Sequence, residues 1–335
     1  MTLPTTPDST DPALPQLASR DHVTTWGARL SDQVPALVLL VLCGISAILS
    51  DRFLSSANLS NVLLQAAVLT VITIGMTYVI VGGGFDLSVG SIVALSGVVG
   101  AELMLKAGIS AGIAGGIVTG LIVGLVNGAV VARMGVSPFI ATLGTMVLVR
   151  GFALLLTGGA PVVGDAGLPQ AFIAFGSDRW LGVPLLVWTA GALCVVFGWA
   201  LHRTAYGVRV FAVGGNREAA YLSGIAVDRI TVSTYAVSGL TAGIAGVLLA
   251  SRLQSGQPTA GEFYELNSIA AVVLGGAALH GGEGKLYKSM IGVLIMTVLA
   301  NSLNLVGVDS YWQRIAIGLV IVAAAAADQA RRRRR

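Results

Sequence analysis

HRTAYGVRVFAVGGNREAAYLSGIAVDR, residues 202–229, is the longest polar interruption between two strongly apolar halves of the chain. It contains four arginines and His202 but only two acids, Glu218 and Asp228. A polar, mainly basic stretch between long apolar runs is typical of a segment that lies in water beside a membrane. We therefore expect residues 202–229 to lie outside the membrane, between two groups of membrane-spanning segments.

A short helix is predicted in the middle of this stretch. Asn216 is a favourable N-cap, because its side-chain oxygen can accept a hydrogen bond from an unpaired backbone N–H group. Glu218 suits the positive end of the helix dipole, and Gly224 suits the left-handed residue that ends a helix. A helix of about two turns is not stable alone in water, so other parts of the protein or a partner must hold it. A docking element and an ordinary capped loop are equally good interpretations of these residues.

The composition indicates a membrane protein. Of the 335 residues, 55% are hydrophobic and 11% are charged, and the mean hydropathy is +0.84. A soluble domain has about 25% charged residues, so most of this chain's surface must face lipid. At roughly 20 residues per span, the length allows about ten spans. We expect an all-α integral membrane protein with about ten transmembrane or partly spanning helices.

The two ends of the chain differ from the apolar middle. Residues 1–33 are polar, contain four prolines and have no apolar periodicity, so we expect a disordered tail. Residues 34–330 are predicted to form a single transmembrane domain, followed by a basic tail at 331–335. The net charge of +4 does not indicate nucleic-acid binding, because five of the 20 basic residues lie in this tail.

Two interruptions in the apolar runs predict broken helices. GGGFDLSVGS, residues 82–91, stops one helix with three glycines and offers Asp86 and Ser88 to cap the next. Asp86 is either a cap at the membrane surface or part of a broken helix beside a transport path, where irregular backbone is tolerated against protein or water. Residues 266–279 are too few to span alone and predict a re-entrant or half helix. Asn267 and Ser268 at its start join the candidates for the path.

One apolar run carries a glycine face. Five glycines recur every four residues along it: Gly112, Gly116, Gly120, Gly124 and Gly128. This spacing places them on one side of a helix and predicts close backbone contact with another helix. Asn127 beside them is expected to bond to a neighbouring helix.

Arg150 interrupts the apolar run of residues 139–157. An ionisable residue inside a span is a functional candidate. If the span ends early, however, Arg150 lies at the interface as a snorkelling anchor, which is the simpler interpretation and the one we favour.

With ten crossings and a cytoplasmic N-terminus, the C-terminus is also cytoplasmic, and the distribution of basic residues fits this topology. The inside loops then hold Arg133, the four arginines of 202–229, Lys285, Lys288 and the terminal arginines. The basic residues of the outside loops are nearly all balanced by acids, as the positive-inside rule requires. Ten crossings allow two halves of five helices with opposite orientations, although no strong sequence repeat marks them.

Motifs of common enzymes are missing from the sequence. Gly284-Lys285 is not followed by the Ser or Thr of a phosphate-binding loop, and the three histidines lack metal-ligand spacing. Cys43 and Cys194 lie in apolar runs and are predicted to be apolar fillers. We therefore expect no catalytic residue, no metal and no cofactor, while a transporter with its own ion coupling remains possible.

Five motifs, in order, resemble the permease subunits of bacterial ribose/xylose-type ABC sugar importers. They are GGFDLSVGS (83–91), FIATLGT (139–145), AVGGNREAAYLSGI (212–225), QPTAG with YELNSIAAVVLGG (257–276), and LNLVGV (303–308). The resemblance implies a multi-pass protein of the inner membrane that forms the path for a monosaccharide (pentose or hexose) or a related polyol. A self-contained ion-coupled secondary transporter is the alternative.

The resemblance also implies partners. They are ATP-binding-cassette ATPase subunits, a periplasmic sugar-binding protein and a second permease subunit, identical or different, within the lipid bilayer and without nucleic acid. In such importers a short cytoplasmic helix sits in a groove of the ATPase, and 202–229 would be the coupling segment. The matching residues here are Gly215, Asn216, Arg217, Glu218, Ala219, Ala220, Leu222, Ser223 and Gly224. Among them, we expect Arg217, Glu218, Leu222 and Ser223 to transmit the motion of the ATPase.

Overall fold

The structure, a computed structural model, describes residues 25–332 and is almost entirely helical, as the all-α prediction requires. The first helices are α1 (Thr25–Leu49), α2 (Ser56–Val81), α3 (Val89–Ala107), α4 (Ile109–Arg133), α5 (Pro138–Thr157) and α6 (Gln170–Ser177). A two-stranded antiparallel hairpin follows, with β1 (Arg179–Trp180) and β2 (Val183–Pro184). The remaining helices are α7 (Leu185–Arg203), α8 (Ala205–Gly215), α9 (Arg217–Leu222), α10 (Val227–Leu253), α11 (Tyr264–Leu274), α12 (Leu286–Leu305) and α13 (Ser310–Arg332).

The chain divides into two compact units, residues 1–34 and residues 35–335. The described part of the first unit is the beginning of α1, which starts at Thr25, within the predicted polar tail of residues 1–33. This segment holds good helix formers and no proline before Pro35, so the helix begins upstream of the apolar run. Residues 1–24 and 333–335 lie outside the described residues, and the first two arginines of the basic tail belong to α13.

Nine described elements are apolar candidates for complete or partial membrane crossings. Seven helices are long and apolar enough to span: α2, α3, α4, α5, α7, α10 and α12. The other two are shorter apolar segments, residues 33–49 and α11. The 23-residue α13 follows them and is not one of the nine. This agrees with the predicted mixture of transmembrane and partly spanning helices.

The glycine face of α4 packs as predicted. All five glycines are buried, and the face lies against α10 and α3. A Cβ atom added to Gly124 would lie 2.9 Å from Cα of Gly239, and one added to Gly120 would lie 2.6 Å from Cα of Gly243. The backbones of α4 and α10 therefore touch directly, as small residues permit in a bilayer.

The contacts between helices repeat within the second unit. In one group α3, α4 and α10 all pack against one another. In the other group α11, α12 and α2 all pack against one another. Exchanging α2 with α10, α3 with α11 and α4 with α12 thus maps each contact onto another. The chain is interrupted at the same point in each half, between α2 and α3 and between α10 and α11. Such a pattern is expected of inverted halves.

Candidate functional site

The short helix predicted between the apolar halves is α9, and both of its caps are confirmed. Oδ1 of Asn216 accepts a hydrogen bond from the backbone N–H of Ala219 at 2.9 Å. At the other end Gly224 has φ +79°, and the N–H of Ile225 donates to the carbonyl oxygen of Ala220 at 3.0 Å. Local residues therefore fix where this helix begins and ends.

Most of α9 faces outward. Ala220 is buried, whereas Tyr221 and Leu222 are 71% and 78% exposed. Arg217 forms an ion pair with Asp228 at 2.9 Å, but both side chains are more than half exposed, so the pair adds little stability. The helix is anchored from one side and presents two large apolar side chains on the other.

The preceding helix, α8, fixes α9 to the membrane-spanning helices. Val210 and Val213 of α8 are buried in a cluster that also contains Val81 of α2, Ala220 of α9 and Leu286 of α12. Burying side chains of this size contributes about 1.5–3 kcal/mol each. A displacement of α9 is therefore passed to packed helices and not absorbed in a loose loop.

Asp86 lies in the first broken element and is fully buried. Its Oδ1 accepts hydrogen bonds from the backbone N–H of Ser88 at 3.0 Å and from the Ser88 hydroxyl at 2.6 Å. Its Oδ2 accepts from the hydroxyl of Ser238 in α10 at 2.7 Å. A buried carboxylate needs several donors, and Asp86 finds them inside the protein. Its interpretation as a cap at the membrane surface or as part of a broken helix beside a path stays a prediction.

Ser88 and Asn127 complete this polar cluster. Ser88 is the N-cap residue of α3, but its side chain makes no capping bond, which corrects the prediction for this residue. Its hydroxyl accepts a hydrogen bond from Nδ2 of Asn127 at 2.8 Å. Asn127 thus ties α4 to the broken element, whereas we expected a bond to a neighbouring helix.

The second broken element is the segment between α10 and α11. It begins with Gln254 at φ +57° and ends with Phe263 at φ +65°, two residues with side chains in the left-handed region. Each costs on the order of 1–3 kcal/mol, which surrounding contacts must offset. α11 follows with 11 residues, about 16 Å of helix, so the half-helix prediction is confirmed.

Arg150 of α5 holds this segment. Its Nη1 donates hydrogen bonds to the carbonyl oxygens of Pro258 at 2.7 Å and Ala260 at 2.8 Å. From α13, the guanidinium of Arg314 lies 4.8 Å from the ring centroid of Phe263. The head group of Arg150 thus satisfies backbone carbonyls that the broken helix leaves unpaired, and its location at the membrane interface stays a prediction.

Asn267 and Ser268, both on α11, have different surroundings. Ser268 is buried and its hydroxyl donates to the carbonyl oxygen of Glu265 at 2.9 Å. Oδ1 of Asn267 is buried and, among the residues that the structure describes, has no hydrogen-bond donor. It borders a cavity of about 100 Å³ between α2, α11, α12 and α13. The other polar side chains of this cavity are Gln65, Tyr264 and Thr297.

The candidate residues form separate groups. Asp86 and Ser88 are bonded to each other, Asn267 and Ser268 are neighbours on α11, and the α9 residues lie apart from both. The two broken elements touch where a Cβ atom added to Gly261 would lie 3.3 Å from Cα of Gly90. Within residues 25–332, no group of three His, Cys, Asp or Glu side chains is arranged to hold a metal.

Comparisons with known proteins agree with this architecture. The family described as "Branched-chain amino acid transport system / permease component" matches residues 58–325. The ribose import permease protein of Bacillus subtilis is 46% identical over 289 residues, which is 86% of this chain and 89% of the relative. The ribose import permease protein of Escherichia coli K12 is 42% identical over 297 residues, 88% of this chain and 92% of the relative.

A third relative is named for another sugar. The L-arabinose transport system permease protein of Escherichia coli K12 is 37% identical over 298 residues, 88% of this chain and 90% of the relative. No solved structure matches the chain.

Replacing Asp86 tests whether its carboxylate holds the first broken element. Asp86→Leu removes the acceptor for three donors, and each unsatisfied buried donor costs about 1–3 kcal/mol. We expect a clearly lower melting temperature in detergent, with Asp86→Asn falling between Asp86→Leu and the unmodified protein. The exposed Asp165, changed to Leu, is the control. Equal melting temperatures for Asp86→Leu and Asp165→Leu would contradict this role.

Proposed function

The chain belongs to the permease-component family that matches residues 58–325, and on this premise we propose that it forms the membrane path of an ATP-binding-cassette importer for a monosaccharide or a related polyol. The protein is a multi-pass protein of the bacterial inner membrane with a transport role and not an enzymatic one. The observation that carries the sugar assignment is the 46% identity to a ribose import permease over 86% of the chain.

A pentose or hexose is the substrate class that we propose. The relatives named above are permeases for ribose and L-arabinose, and a further relative, 37% identical over 307 residues, is the galactose/methyl galactoside import permease protein of Escherichia coli K12. The family description names branched-chain amino acids instead, so family membership alone does not specify the substrate. These relatives support the importer and not the self-contained ion-coupled transporter.

The partners that we propose are two ATPase subunits, a periplasmic sugar-binding protein and a second permease subunit. ATP hydrolysis takes place on the separate ATPase chains. The coupling element is the segment from Gly215 to Gly224, in which α9 is capped at both ends and exposes Tyr221 and Leu222. An apolar pair on a short, anchored helix suits a groove in a partner, the mode in which an amphipathic helix docks.

The orientation that we propose places α9 and both termini in the cytoplasm. The stretch from the end of α7 to the start of α10, which contains α8 and α9, carries four arginines, at positions 203, 209, 217 and 229. The loop between α11 and α12, which carries Lys285, meets α8 at the backbone of Gly282 and Gly214. Basic residues from two separate loops thus lie at the same end, and the positive-inside rule assigns that end to the cytoplasm.

The sugar path that we propose runs beside the two broken elements. Asp86 and Ser88 belong to the first, and Asn267 and Ser268 lie on α11, which follows the second. The cavity at Asn267 has a buried oxygen without a donor and is bordered by amide and hydroxyl groups. Sugar hydroxyls can act as both donors and acceptors and would match these groups. Asp86, Ser88 and Ser268 support the path structurally, since their side chains are bonded within the protein.

Changing α9 tests the coupling element. Leu222→Glu places a charge on a side chain that is 78% exposed, so folding should be unaffected while ATPase binding is lost. Loss of one apolar anchor costs about 1.5–3 kcal/mol, and we expect at least tenfold less ATPase to co-purify with the chain from native membranes. Glu218→Lys should likewise lower uptake while membrane insertion stays normal.

The control is Val163→Glu, an exposed apolar residue in the loop after α5. It should retain the ATPase. If Leu222→Glu co-purifies with as much ATPase as Val163→Glu, α9 is not the docking element.

Changing Asn267 tests the sugar path. Asn267→Leu removes the buried oxygen and fills polar space with methyl groups, so we expect the KM for sugar uptake to rise at least fivefold or uptake to be lost. Asn267→Ser, which keeps a polar group, should have a smaller effect. Melting temperatures measured in parallel identify any variant that is merely unstable. Unchanged uptake kinetics in a stable Asn267→Leu protein would remove Asn267 from the path.

A further inference from the structure

Three segments that are far apart in sequence meet through glycine backbones at the end of the molecule that carries α9. We call Gly83, Gly214, Gly281 and Gly282 the glycine junction. A Cβ atom added to Gly281 would lie 2.8 Å from both the carbonyl oxygen of Gly214 and Cα of Gly83. One added to Gly214 would lie 2.8 Å from the nitrogen of Gly282 and closer still to the carbonyl oxygen of Val81.

A backbone hydrogen bond closes the junction. The N–H of Gly282 donates to the carbonyl oxygen of Val81, the last residue of α2, at 2.9 Å. Gly83, Gly281 and Gly282 have φ values of +82°, +90° and +74°, which glycine adopts without strain. At these glycines the contact is therefore backbone against backbone, and the glycines themselves have no side chain that could change rotamer and absorb a displacement.

Each segment of the junction leads to an element of the proposed transport cycle. Gly214 is the penultimate residue of α8, and Asn216 then starts α9. Gly83 precedes Phe85 and Asp86, which are bonded to Tyr235 at 3.0 Å and Ser238 at 2.7 Å, both in α10.

The third segment links α11 and α12. The N–H of Ala277 donates to the carbonyl oxygen of Val272 at 3.2 Å, so the loop is bonded to the end of α11. At its other end the N–H of Leu286, the first residue of α12, donates to Nε2 of His202 at 3.0 Å. Movement of this loop is thereby passed to the half helix that carries Asn267.

We propose that the glycine junction transmits the movement of α9 to both broken elements at once, and that Gly214 is a positioning residue of the transport cycle. The inference rests on the proposed function. Closely packed interiors transmit strain because they have two discrete arrangements and little free space. A junction without side chains couples α8 to the loops of both inverted halves, so that one input from the ATPase moves the two halves together.

The test measures ATP hydrolysis and sugar uptake in the same liposomes, which hold the complete complex of permease, ATPase and binding protein. Gly214→Ala inserts a methyl group between α8 and the other two segments. We expect the ATPase to stay bound and to hydrolyse ATP, while the amount of sugar imported per ATP falls at least tenfold. Gly198→Ala is the control, because it changes another helical glycine whose added Cβ would meet only a side-chain atom of Leu286 at 3.5 Å.

A second pair of variants covers the case in which Gly214→Ala does not fold. A Cβ atom added to Gly281 would lie 2.8 Å from both the carbonyl oxygen of Gly214 and Cα of Gly83, so Gly281→Ala forces the junction apart with a less severe clash than Gly214→Ala. Gly108→Ala has the same backbone strain, since both glycines have φ +90°, but its Cβ atom has no atom within 4 Å. We expect the sugar imported per ATP to fall in Gly281→Ala and not in Gly108→Ala.

The proposal is overturned if each junction variant imports as much sugar per ATP as its control. It is also overturned if ATP hydrolysis and sugar uptake fall together, so that the ratio of sugar imported to ATP hydrolysed does not change. Failure of the proposed function gives a different result, because the unmodified complex would then show no ATP-dependent sugar uptake at all.

Discussion

A bilayer offers no water to unpaired polar groups, and this constraint determines how the two interruptions of the helices are built. At the first interruption the carboxylate of Asp86 accepts hydrogen bonds from Ser88 and Ser238, so one buried acid joins the start of α3 to the middle of α10. At the second interruption the broken helix leaves the backbone carbonyls of Pro258 and Ala260 unpaired, and Arg150 donates a hydrogen bond to each of them. The first interruption is thus stabilised by a hydrogen-bond acceptor, Asp86, and the second by a hydrogen-bond donor, Arg150. With both loops held, α4 and α10 can approach backbone to backbone along their glycines.

Several features were predictable because neighbouring residues alone determine them. The caps of α9 follow from Asn216 and Gly224, the glycine face of α4 follows from a four-residue repeat, and the half helix α11 follows from the length of its apolar run. The burial of Asp86 was not predictable, since Ser238 is distant in sequence and its serine hydroxyl gives no local signal. Arg150 did give a signal, an ionisable residue inside a span, but the carbonyls that it binds belong to a segment whose left-handed residues depend on tertiary contacts.

The same arrangement links the proposed coupling helix to the proposed sugar path. Val210 and Val213 of α8 are buried in one cluster with Val81 of α2 and Leu286 of α12, so α9 is attached to the membrane domain while its outer face is exposed. The repeated helix contacts give the two broken elements equivalent neighbouring helices, and their loops meet α8 or each other through glycine. A transport cycle driven from one side of the membrane requires such a connection, because the movement of a docked ATPase must reach both halves of the path.

The most direct test of this account is sugar uptake into proteoliposomes that hold the chain together with its ATPase and binding protein. With ATP on the side of α9, labelled pentose should accumulate, and collapsing the proton and sodium gradients with ionophores should not change the initial rate. Liposomes without the ATPase should show no uptake. Accumulation by the chain alone, driven by a proton or sodium gradient, would contradict the account and establish an ion-coupled transporter.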